Sequence, residues 1–135
     1  MPSHPRFLSV VRAAIDELSL TVGLPKEECN AVILAVDEAL ANIIRHAYKN
    51  RYDQRVGFDC EVSEEQMEFT LLDQGESPDP AKICAPPVDE LALSGRGTHL
   101  IREIMDDVCY EKVPEGNRLR LIKRLPEATA LALEE

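Results

Sequence analysis

The chain has 135 residues, a formal net charge of -10, 44% apolar and 30% charged residues. That length holds one core and predicts a single domain over 1–135, with its body at about 7–125 and a tail at 126–135. The acidic balance argues against nucleic acid as a direct partner, since phosphate backbones call for basic patches. A membrane span and a secretory leader find no matching apolar run, so the expectation is a cytoplasmic protein away from membranes.

From Phe7 to Val22, Leu8, Val11, Ile15 and Leu18 recur at helical spacing, and Gly23 stands where helices commonly end. A second, longer helix is predicted from near Pro25 to about Asn50, with the apolar stripe Val32, Ile33, Val36, Leu40, Ile43 and Ala47. From Arg55 the period changes to two. Val56, Phe58, Cys60 and Val62 alternate with polar residues, Ser63 to Gln66 reads as a turn, and Met67, Phe69 and Leu71 lead a returning strand to Asp73.

Gln74 to Ser94 is irregular and holds Pro78, Pro80, Pro86 and Pro87, a length that inside a compact domain is usually functional or disordered. Helical spacing resumes at Gly95 with Leu100, Ile101, Ile104 and Met105. Val108, Tyr110 and Lys112 form a third strand, Glu115 to Asn117 a turn, and Leu119, Leu121 and Lys123 the last strand, closed by Pro126. Helices segregated from a hairpin sheet predict an α+β two-layer sandwich. The four cysteines, Cys29, Cys60, Cys84 and Cys109, show no zinc-ligand spacing and read as reduced, half-buried thiols.

There is no GxxxxGK[ST] loop and none of the HRD or DFG elements, so any ATP chemistry needs another arrangement. Three features supply one. Glu38, Asn42 and His46 recur every four residues as a polar line opposite the apolar stripe, with Arg45 beside it. Asn is a mediocre mid-helix residue, and its amide oxygen suits Mg²⁺. Asp73-Gln74-Gly75 leaves a strand on an acid followed by a glycine. Ser94-Gly95-Arg96-Gly97-Thr98 opens a helix, where unobstructed backbone N–H groups face an anion. Each of the last two is a weak signal alone.

In this order the three resemble the GHKL ATPases. Glu38-Ala39-Leu40-Ala41-Asn42-Ile43-Ile44-Arg45-His46-Ala47-Tyr48 is similar to their N box, Asp73 to Gly75 to their G1 box, and Gly95-Arg96-Gly97 to their G2 box. The run Gly95 to Val108 resembles anti-sigma-factor serine kinases of the RsbW and SpoIIAB type, and the likeness extends from about Phe7 to Leu125. It implies the Bergerat fold, a mixed and mostly antiparallel sheet covered on one face by helices, with ATP and Mg²⁺ as cofactors. It also implies Asn42 as the Mg²⁺ ligand, Glu38 as general base, and Asp73 as acceptor of the adenine amino group with Gly75 allowing close approach. Gly95, Arg96, Gly97 and Thr98 would face the phosphates, Arg45 would add a cation near them, and His46 would pack, cap or touch nucleotide.

Three departures from the family pattern stand out: only MPSHPR precedes the first helix where a strand is usual, Thr98 replaces an apolar residue, and residues 79–94 hold no Arg. The partners implied are a sigma factor, a STAS-domain antagonist phosphorylated on serine or threonine, and a second copy of the chain. A binding-module alternative keeps ATP as a structural ligand and acts by association, as an anti-sigma factor or phosphatase activator. Glu38 favours the kinase, since a pure binding module has no use for a carboxylate beside the metal ligand. The ATP-binding half of a histidine kinase is disfavoured, as no phosphoacceptor helix pair precedes the domain.

The stretch from Glu76 to Ser94 joins both glycine motifs and is expected to close over the phosphates as a lid. Its amide hydrogen exchange should slow on adding Mg²⁺-ATP, while exchange from Val56 to Leu71 stays unchanged. Equal exchange in both states would make it a static connector.

Overall fold

The computed structural model describes residues 1–76 and 96–126. After a 3-10 turn at Pro5–Phe7 come α1 (Leu8–Val22), α2 (Lys26–Asn42) and a π-helical turn at Ile43–Ala47. Then follow β1 (Val56–Val62), β2 (Gln66–Asp73), α3 (Arg96–Ile104), β3 (Asp107–Val113) and β4 (Gly116–Arg124). The strands lie in the order β1-β2-β4-β3 and every pair is antiparallel, so the expected mixed sheet has no parallel pair among the described strands. Most of the expected lid, from Ser77 on, the tail from Glu127, and Cys84 lie outside the described residues.

Alternation along the strands separates two faces. Val56, Met67, Phe69, Leu71 and Leu121 point inward and share one core with Val11, Ile15 and Val22 of α1, Val32, Val36 and Leu40 of α2, and Ile101 of α3. The helix α2 lies between α1 and α3 and packs against both. On the outer face, cross-strand ion pairs replace apolar contacts: Arg118 with Glu111, and Arg120 with both Glu68 and Glu111. Where the family usually has a strand before the first helix, this chain has a single antiparallel bridge at the edge of β1. The Met1 amino group donates to the Val56 carbonyl at 2.8 Å, the Val56 N–H returns a bond to the Met1 carbonyl at 2.8 Å, and Pro2 bridges to Arg55.

The second helix differs most from its prediction. It was expected to run to about Asn50, but the α-helical bonds end at Asn42, and the Tyr48 N–H reaches the Ile43 carbonyl five residues back at 2.9 Å. Lys49 and Asn50 then turn the chain with φ of 50° and 61°. Asn tolerates this left-handed conformation and Lys does so at a small steric cost, so no glycine or proline marks the stop.

The reversal places Tyr48, 1% exposed, at a junction. Its hydroxyl donates to the Arg55 carbonyl and accepts from the Gln74 N–H at 2.7 Å, joining the end of the long helix to both β1 and β2. Tyr48→Phe takes the hydroxyl partner from two part-buried backbone groups. It should lower unfolding free energy by about 1–3 kcal/mol in urea denaturation, with the circular dichroism spectrum preserved; an unchanged midpoint would show that water takes over both bonds.

Candidate nucleotide site

The site grows from the place where three segments meet. At the end of β2, Asp73 is 7% exposed, and its Oδ1 accepts from the Gly75 N–H at 2.9 Å and from Asn117 Nδ2 at 2.9 Å. Asn117 Nδ2 also donates to the Gly75 carbonyl at 3.1 Å. Both bonds to the carboxylate end on one oxygen. Among the described residues Oδ2 has no donor, which leaves it for an exogenous N–H. Burial pushes the Asp73 carboxyl above its usual range, and the Asn117 and Gly75 bonds oppose that shift.

Two glycines permit this seat. A Cβ on Gly75 would overlap the carbonyl of Ala47, whose oxygen accepts from the Glu76 N–H at 2.9 Å. A Cβ on Gly116 would run into the Asp73 carbonyl, and its φ of 134° disfavours any other residue. Asn117 was read only as part of a turn. Its signal was present in the spacing: it shares strand parity with the inward-facing Leu119 and Leu121, and a polar residue on a buried face needs a specific partner.

One turn back along the same helix, Glu38 and Asn42 converge. Arg45 Nη2 lies 3.1 Å from Glu38 Oε1 and 3.0 Å from Asn42 Oδ1, so two hard oxygen donors already share one cation. That donor set suits a hydrated Mg²⁺, which takes few protein ligands when phosphates supply the rest. His46 is exposed and makes no hydrogen bond or ion pair among the described residues. The sequence placed His46 in the polar line and Arg45 beside it; in the structure Arg45 joins Glu38 and Asn42, while His46 stands apart.

The third motif is described in part. Arg96, Gly97 and Thr98 form the first turn of α3, and α3 packs on α2. Gly95 and the side chains of Arg96 and Thr98 lie outside the described residues. The described cysteines are free thiols: Cys29 is buried, Cys60 intermediate and Cys109 exposed, so the half-buried expectation fits Cys60 alone. Burial and the flanking Asp59 and Glu61 push the Cys60 thiol up to about 11.

Asp73→Asn tests the seat without destroying it, because an amide oxygen keeps both bonds while the buried charge disappears. A carboxyl raised above its ordinary value of 3.8 makes the native state hold more protons than the unfolded chain within that window. Its stabilising effect is complete below the ordinary value and is lost as pH rises through the folded one. The variant should therefore match the parent below about pH 4 and be the more stable protein at neutral pH in urea melts. Lower stability at pH 7 would mean that the ionised group gains more from its two donors than it loses by burial.

The family profile described as "Histidine kinase-like ATPase domain" matches residues 1–123. The serine-protein kinase RsbW of Oceanobacillus iheyensis is 30% identical over 116 residues, covering 80% of this chain and 73% of its own length. RsbW of one Bacillus licheniformis strain is 30% identical over 135 residues, covering 92% and 82%. Among solved structures, the histidine kinase domain of the blue-light activated histidine kinase EL346 from Erythrobacter litoralis superposes with a TM-score of 0.61 at 21% identity. That comparison covers 100% of this chain and 66% of the solved one, and it speaks to fold alone. None of the described helices is long and apolar enough to cross a membrane. With the α+β fold, the buried acid at the end of β2 and the acid–amide pair on α2 in place, these matches show that the chain belongs to the histidine kinase-like ATPase domain family, among relatives that are RsbW serine-protein kinases.

Proposed function

We propose that the protein is a cytoplasmic anti-sigma-factor kinase. As a homodimer it binds Mg²⁺-ATP, sequesters a sigma factor, and phosphorylates a STAS-domain antagonist on serine or threonine. The observation that carries this reading is the pair of polar seats joined by one helix end: Asp73 on the β2 side, and Glu38 with Asn42 on the α2 side. RsbW relatives at 30% identity support the kinase class.

In this reading Asp73 Oδ2 accepts the adenine amino group, and Gly75 keeps the neighbouring backbone close. Asn42 holds Mg²⁺, which neutralises phosphate charge when bound. As the family resemblance implies, Gly95, Arg96, Gly97 and Thr98 would meet the phosphates, and Arg45 would add positive charge. His46 borders the site from its exposed position. Glu38 accepts the proton of the attacking hydroxyl; the hydroxyl oxygen bonds to the γ-phosphorus as the bond to the bridging oxygen breaks, and ADP departs. Phosphoryl transfer is mainly positioning and charge stabilisation, so this set suffices.

The test is incubation with labelled ATP, Mg²⁺ and each STAS-domain protein of the same genome. Transfer to one of them is expected, and Glu38→Gln should slow it about 10²–10⁴-fold while leaving ATP affinity nearly intact. Asn42→Ala should lose the Mg²⁺-dependent part of ATP binding in calorimetry. Tight Mg²⁺-ATP binding with no transfer to any candidate would turn the protein into a binding module.

A further inference from the structure

The cation that Glu38 and Asn42 share is part of the chain itself. Seven residues separate Glu38 from Arg45, close to two full helical turns, so the guanidinium folds back along one face to reach both oxygens. Arg45 is the one cation paired with Glu38 among the described residues, since Arg12 is taken by Asp37 at 2.9 Å and Lys49 by Glu76 at 3.2 Å. The pair is half open to solvent, with side-chain exposures of 50% for Arg45 and 29% for Glu38, so it is strong enough to order the oxygens and weak enough to break.

We infer that Arg45 is a resident stand-in for the metal: it holds Glu38 and Asn42 together in the metal-free protein and must leave when a divalent ion arrives. This rests on the reading of α2 as the metal–nucleotide face. A guanidinium and a hydrated divalent ion cannot both sit on Asn42 Oδ1, because their charges repel and the ion keeps its own bulky water shell. Displaced, the guanidinium lies within a side chain's length of the incoming phosphates and supplies a second positive charge there. The same displacement uncovers Glu38 Oε1, which Arg45 otherwise occupies and which a substrate hydroxyl would need. Metal binding and exposure of the base thus become one event, and the carboxylate stays closed until the nucleotide is loaded.

The exchange makes opposite predictions for two binding constants. In Arg45→Ala the oxygens are vacant from the start, so the Mg²⁺ concentration that gives half-maximal ATP affinity should fall about two- to fivefold, the range an exposed ion pair supports. Affinity for ATP at saturating Mg²⁺ should fall by a similar factor, because the displaced guanidinium is no longer there to meet the phosphates. Arg45→Lys, which keeps a charge without the planar fork, should lie between. Calorimetric ATP titrations across a Mg²⁺ series, with no phosphoacceptor present, read both constants on the full chain. An unchanged or higher Mg²⁺ requirement in Arg45→Ala, beside a parent protein whose ATP binding needs Mg²⁺ and Asn42, overturns the inference alone. ATP binding indifferent to Mg²⁺ or to Asn42→Ala overturns the reading of the site and the inference with it.

Discussion

A carboxylate that folding takes almost wholly out of water must be surrounded by donors, and in this protein that constraint organises everything near the site. Asp73 is seated by a backbone N–H two residues on and by an amide from the neighbouring strand β4. Each donor demands a glycine beside it, Gly75 against Ala47 and Gly116 against Asp73 itself. The Tyr48 hydroxyl and the Ala47 carbonyl then fix the peptide groups of Gln74 and Glu76. Segments around residues 47, 74 and 117 are therefore held together by hydrogen bonds with short, specific geometry, where the rest of the domain relies on apolar contact.

The sheet supplies stability and the helix supplies chemistry. The inner face carries Phe69, Met67, Leu71 and Leu121, all fully buried, and their transfer from water is the main favourable term. The outer face is tied by half-buried ion pairs that contribute modestly each. Because α2 is anchored by Val32, Val36 and Leu40 beneath, its opposite face is free to carry Glu38, Asn42 and Arg45 without weakening the core.

Much of this was legible in the sequence for physical reasons. Strand alternation from Val56 to Leu71 sets the buried face directly, and the observed strands begin and end close to the expected residues. The spacing of Glu38 and Asn42 placed them on one face of a helix, where the structure finds them sharing a cation. What was not legible depended on the backbone leaving its regular form. No residue between Asn42 and Tyr48 announces a π turn, and Lys49 is an unusual choice for a left-handed position. Asn117 was hidden because a Gly-Asn pair looks like a turn until the Asp it faces, forty-four positions away, is known.

The π turn also encodes a length requirement. A ring closed from Ile43 to Tyr48 holds one residue more than an α-helical ring, so the chain is one residue longer here than a regular helix of the same rise. Deleting a single residue between Ile43 and Ala47 would remove the extra residue of that ring, so the chain could no longer close from Ile43 to Tyr48, the residue whose hydroxyl ties Arg55 to Gln74. In this stretch the number of residues matters as much as their identity, because the ring from Ile43 to Tyr48 fixes how many residues the chain spends before it turns.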